Sequence, residues 1–140
     1  MQRLMFDGEA HDRMSQACSA VGAPPGVVKT LIHLDPDRPV AMRDVAAHFS
    51  VDASYVTWLV DELESRGLAR RLPHPTDRRV KTVALTAAGA EVRRQVHDLM
   101  ASPPSCFAAL TAVELRDLRA LLGRLVAADA RLSDFVAPLR

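Results

Sequence analysis

The chain has 140 residues, about half of them hydrophobic, and a formal net charge of +1 at pH 7. That length suits one compact domain with a real core, and the near-neutral balance means that a nucleic-acid partner must be argued from where the charges sit. No apolar run is long enough to cross a bilayer, and Met1-Gln2-Arg3-Leu4 soon meets Asp7 and Glu9 rather than a signal-peptide core, so a cytoplasmic protein without a membrane partner is expected.

In chain order, Ala10, Met14, Ala17, Cys18 and Val21 recur at helical spacing and predict a first helix ending near Gly22-Ala23-Pro24. A second is expected from Pro24-Pro25, where proline's fixed φ suits a first turn, through Val27, Val28, Leu31, Ile32 and Leu34; Asp35-Pro36-Asp37 stops it. Arg38-Pro39-Val40 offers one short extended segment. The third helix carries Val45, Ala46 and Phe49 on one face, and without Ser, Thr, Asp or Asn at Ala41 or Met42 it should be weakly capped. Asp52 is the N-cap candidate of a fourth helix with Val56, Leu59, Val60 and Leu63 as its apolar stripe, and Gly67 followed by Leu68 forms its stop.

Arg70 to Thr86 then reads as a basic β-hairpin. His74-Pro75-Thr76-Asp77 supplies turn chemistry, and Val83 and Leu85 alternate with Thr82 and Ala84 as a half-buried strand should. Arg70, Arg71, Arg78, Arg79 and Lys81 face only Asp77 as a nearby acid in sequence, which gives the hairpin a positive field suited to phosphate or a narrow minor groove. Two helices joined by a short turn and followed by this hairpin make a winged helix-turn-helix. Downstream, Ala87 to Met100 predicts a helix and Ser102-Pro103-Pro104 interrupts it. Thr111-Ala112-Val113-Glu114 is a capping box opening a last helix, whose broad stripe includes Leu115, Leu118, Leu122 and Leu125. With the stripe of the first helix, this is more apolar face than one small core needs, and a dimer interface is expected.

On the fourth helix, Ser54, Trp58, Asp61 and Ser65 point away from the apolar stripe, flanked by Tyr55 and Thr57. In helix-turn-helix proteins the first turns of the second helix enter the major groove, so Ser54, Tyr55, Thr57 and Trp58 are the candidate base readers. Asp61, Glu62 and Glu64 would be repelled by phosphate and should tilt the other end away. Trp58 packed against the hairpin and Thr57 bonded back within its helix are the competing structural readings.

Val45-Ala46, Val51-Asp52-Ala53-Ser54-Tyr55-Val56-Thr57, Leu63-Glu64-Ser65-Arg66-Gly67-Leu68, and Asp77-Arg78-Arg79 followed by Leu85-Thr86 and Gly89 together resemble the MarR family of bacterial transcription regulators. Trp58 stands where that family often has arginine. The resemblance implies a mainly α fold with a small β-hairpin wing. It places an N-terminal dimerisation helix over 1–23, the winged helix-turn-helix over 24–86 and C-terminal dimerisation helices over 87–140. It further implies a homodimer on a pseudo-palindromic double-stranded DNA operator, most often a repressor released by a small-molecule or oxidant signal. Arg79 would enter the minor groove, Asp77 would brace the wing, and Thr57 would occupy a DNA-contacting position; Arg78 and Lys81 join them as basic wing residues.

Cys18 and Cys106 are too few and too far apart for a disulfide scaffold or a metal-binding pair, and are read as bystander thiols with an oxidant-sensing role as the alternative. The five histidines show no ligand spacing, so neither a metal nor a cofactor is expected. No Gly-rich phosphate loop, nucleophile elbow or paired-carboxylate arrangement favours an enzyme. A winged-helix module that binds protein rather than DNA is the second reading.

Overall fold

The computed structural model describes residues 8–74, 80–103 and 105–128. They fall into two compact units, one reaching Met100 and the other beginning at Ala101.

The first unit opens with α1 (Glu9–Val21), which stops at Gly22 in the left-handed conformation, and α2 (Pro25–His33), which starts on proline as expected. The two-residue strand β1 (Val40–Ala41) leads into α3 (Met42–Phe49), whose N-terminus has no side-chain cap. Helix α4 (Ala53–Ser65) follows, then strands β2 (Ala69–Pro73) and β3 (Lys81–Leu85), and α5 (Ala87–Ala101). The end of α4 is set by Gly67 at φ 69°, where a side chain would be strained. The Gly67 N–H reaches the Glu64 carbonyl and the Leu68 N–H the Leu63 carbonyl, both at 2.9 Å, while Leu68 and Leu63 join the same core.

The sheet is three-stranded and antiparallel, with β3 between β1 and β2. The short extended segment expected before α3 is therefore a ladder strand, pairing Val40 with Val83. Its presence alters the expected alternation along β3: Thr82 is as buried as Val83, and its hydroxyl donates to the Leu72 carbonyl at 2.8 Å. That bond removes the cost of burying the hydroxyl.

Val27, Val28 and Leu31 of α2, Val45 of α3, and Val56, Leu59, Val60 and Leu63 of α4 meet Val83 in one core. Each such full burial contributes about 1.5–3 kcal/mol relative to exposure. Ala17 of α1 is fully buried in the same cluster, with Met14, Cys18 and Val21 packed against it. Helix α5 adds Val96, Val92 and Leu99. At its start, Gly89 lies so close to the Leu68 carbonyl that a Cβ would sit 1.8 Å from the oxygen, so only glycine permits this approach.

The second unit holds a 3-10 turn (Ser105–Ala109) and α6 (Ala112–Ala128). The capping box forms: the Thr111 N–H donates to Glu114 Oε2 at 2.8 Å and the Glu114 N–H to Thr111 Oγ1 at 3.3 Å. The Thr111 N–H, and next its hydroxyl, which donates to the same oxygen at 2.8 Å, hold the Glu114 carboxyl below the usual glutamate range. No side chain of α6 is buried; Val113, Leu115, Leu121, Leu122 and Leu125 are exposed.

Candidate nucleic-acid interface

Helix α4 lays its apolar stripe on the core and keeps Ser54, Tyr55, Thr57 and Trp58 exposed. Asp52 organises the leading end. Its carboxylate accepts from the Tyr55 N–H at 2.8 Å and from the Ser54 hydroxyl, and these bonds, the hydroxyl's first, lower its pKa. The retained negative charge complements the helix N-terminus. Thr57 Oγ donates to the Ala53 carbonyl at 2.9 Å. Both hydroxyls have therefore spent their proton and present only lone pairs outward.

The two aromatic side chains form a pair. Tyr55 and Trp58 stack with ring centroids 5.5 Å apart and planes 20° from parallel, each 41% exposed. Trp58 thus packs on Tyr55 of its own helix, and the Tyr55 hydroxyl lies beside Gly26 of α2.

The wing's base is continuous with this surface. Strand register places Arg70 opposite Ala84 and Pro73 opposite Lys81, and the His74 N–H bonds the Val80 carbonyl at 3.2 Å. Arg70 and Lys81 are exposed. The tip at 75–79, with Asp77, Arg78 and Arg79, lies outside the described residues. Arg71 departs from the expectation of a cation short of acids. Its Nη2 pairs with Asp61 Oδ1 at 2.7 Å and donates to the Thr57 carbonyl at 3.1 Å, while Nη1 pairs with Glu64 Oε2. The acids of α4 are likewise not bare, since Glu62 pairs with Arg66 at 2.7 Å. Arg66 in turn donates to the Gly22 carbonyl at 2.8 Å, fixing the end of α4 against the end of α1.

A cavity of about 330 Å³ opens where α3, α4 and β3 converge. Met42, Ala53, Val56 and Val80 supply its apolar lining, and Arg43, Thr57 and Lys81 its polar groups. Arg43 is a residue that the sequence reading missed. It lies on α3, and only the packing of α3 beside the wing brings it to Lys81.

Cys18 is half-buried and Cys106 exposed. The fold brings His33 and His48 together, ring centroids 5.1 Å apart beside Phe49. Among the described residues no group of three or more His, Cys, Asp or Glu is placed to hold a metal ion.

The family profile of MarR matches residues 28–81, from α2 into the second wing strand. This middle part of the chain is therefore similar to the MarR family. Over 62 residues, 44% of this chain, it is 39% identical to the multiple antibiotic resistance protein MarR of Escherichia coli strain K12. That match spans 41% of the relative, less than half its length. The crystal structure of wild-type apo MarR from E. coli superposes with a TM-score of 0.69 at 26% identity, covering 84% of this chain and 88% of that one. A mutant of the same protein complexed with operator DNA gives 0.60 at 27% identity, over 84% and 85% of the two chains. The fold is thus mainly helical with a small wing sheet, as expected from the sequence and as in these structures.

Proposed function

We propose that the chain is a transcription regulator that binds double-stranded DNA sequence-specifically, reading the major groove with the leading half of α4 and the minor groove with the wing. The observation that carries this is the joined surface of exposed Ser54, Thr57 and Trp58 beside Lys81 and Arg43, backed by a helix whose other face is wholly in the core. The likeness to a relative crystallised with operator DNA supports it. Ser54 and Thr57, as acceptors, suit the exocyclic amines of adenine and cytosine, and the Trp58 ring suits the methyl of thymine. Arg43, Arg70, Lys81 and the wing arginines Arg78 and Arg79 serve the backbone and the minor groove, with Asp77 bracing the tip.

The regulator acts as a homodimer on a pseudo-palindromic operator. Supporting this, α6 exposes a leucine-rich face, and α1 joins it in the interface by the same reading. Repression relieved by a signal is the corresponding mode of action. The cavity between α3, α4 and β3 supports a small molecule as that signal, since an occupant there would compete for Thr57 and Lys81. Exposed Cys106 is the more accessible thiol for an oxidant.

The test is the salt dependence of binding to duplex DNA. Arg79→Ala, shown by circular dichroism to be folded, should weaken specific and unrelated DNA alike and make the slope of log K against log salt shallower by about one. Unchanged affinity and slope would remove the wing from the surface and favour a protein-binding winged helix.

A further inference from the structure

Gly26 occupies the first turn of α2, where glycine is a poor helix former and where nothing in the local sequence requires it. Its φ is not in the left-handed region, so backbone conformation does not explain it either. The reason is across the core, on α4. A Cβ at position 26 would lie 2.5 Å from the Tyr55 hydroxyl oxygen and 3.3 Å from Leu59 Cδ2, but 3.6 Å from Tyr55 Cζ. The obstruction is thus chiefly the phenolic oxygen, and the ring behind it stands at ordinary contact distance.

Tyr55 is at the same time the ring on which Trp58 stacks. The backbone of α2 at Gly26, the Tyr55 ring and the Trp58 ring therefore form a series of contacts running from the scaffold to the exposed surface of α4. Leu59 beneath is fixed in the core and cannot yield by much. Any group added at position 26 must push the Tyr55 hydroxyl outward, and the stacked Trp58 must follow or separate.

We propose that Gly26 is a positioning residue for DNA specificity: through Tyr55 it sets where Trp58 presents its ring to base edges. This rests on the DNA-reading role given to α4 above, and its mechanical half is testable without DNA. The chain contains one tryptophan and one tyrosine, so tryptophan fluorescence and the tryptophan and tyrosine bands of near-UV circular dichroism report this pair alone.

The experiment compares the full-length chain with Gly26→Ala, Tyr55→Phe and the double variant. In free protein, Gly26→Ala should shift Trp58 emission to longer wavelength and diminish its near-UV band. Tyr55→Phe removes the oxygen that meets the new methyl, so the double variant should match Tyr55→Phe alone. On a panel of single-base variants of a duplex selected by the parent protein, Gly26→Ala should change discrimination by about threefold or more at the positions that Trp58→Ala also affects, and the double variant should again return to Tyr55→Phe. A folded Gly26→Ala with parental Trp58 spectra overturns the proposal. If the spectra change and the operator ranking does not, the contact series is right but Gly26 does not position a reader; Trp58→Ala then shows separately whether Trp58 reads DNA at all. If Gly26→Ala fails to fold while the double variant folds, the Tyr55 contact is confirmed and the ranking is read on the double variant; if neither folds, glycine serves the backbone alone and the proposal fails.

Discussion

Arg71 binds Glu64 twice, through its backbone N–H to Oε1 at 2.7 Å and through its guanidinium to Oε2, so the strand leaving α4 is fastened back onto the helix it left. Asp61 and the Thr57 carbonyl complete the guanidinium's partners. The base of the wing and the exposed face of α4 thereby keep a fixed relation. That relation is what a two-groove reading of DNA requires, because helix and wing must arrive in register.

Removing the guanidinium should loosen this relation. Arg71 and Glu64 are each about a third exposed, so solvent screens them, but a network of several hydrogen bonds is worth more than one surface pair. Arg71→Ala is expected to cost about 1–2 kcal/mol in urea unfolding. A double-mutant cycle with Glu64→Gln should show coupling, and additive costs would contradict the network.

The cap at Asp52 predicts an acid response. Its folded pKa is lowered, by the Ser54 hydroxyl first and the Tyr55 N–H next, so its contribution is present in full above the ordinary aspartate range and is lost as pH falls through the lowered value. Urea midpoints should therefore decline in acid below about pH 4, and Asp52→Asn should flatten part of that decline. An acid limb unchanged by the substitution would show that the cap does not contribute this term.

These local devices are the ones legible in the sequence. An N-cap, a glycine stop or a capping box is written within a few residues, and Asp52, Gly67 and Thr111 each behave as their neighbours dictate. The apolar stripe of α4 was equally plain, because helical period alone fixes it. What could not be read were relations between elements. Arg71 looked like a free cation because its acids sit on a different element, and Arg43 joins the candidate site only through the packing of α3 beside β3. The need for glycine at position 26 depends on Tyr55, a residue of another helix.

The exposed leucines of α6 carry the dimer reading. Leu122→Asp combined with Leu125→Asp should convert the chain from dimer to monomer in sedimentation while leaving the helical circular dichroism nearly intact, because neither side chain is buried within its own chain. A parent protein that sediments as a monomer at micromolar concentration would remove the basis for it.

The most direct test of the central claim is selection of duplexes from a random pool by the full-length protein, followed by sequencing. The expected outcome is enrichment of an inverted repeat whose half-sites lie about 10–10.5 base pairs apart, centre to centre, or a multiple of that spacing, with Ser54→Ala or Trp58→Ala altering the preferred bases within each half. Recovery of a pool indistinguishable from the input, by folded protein at low salt, would contradict it.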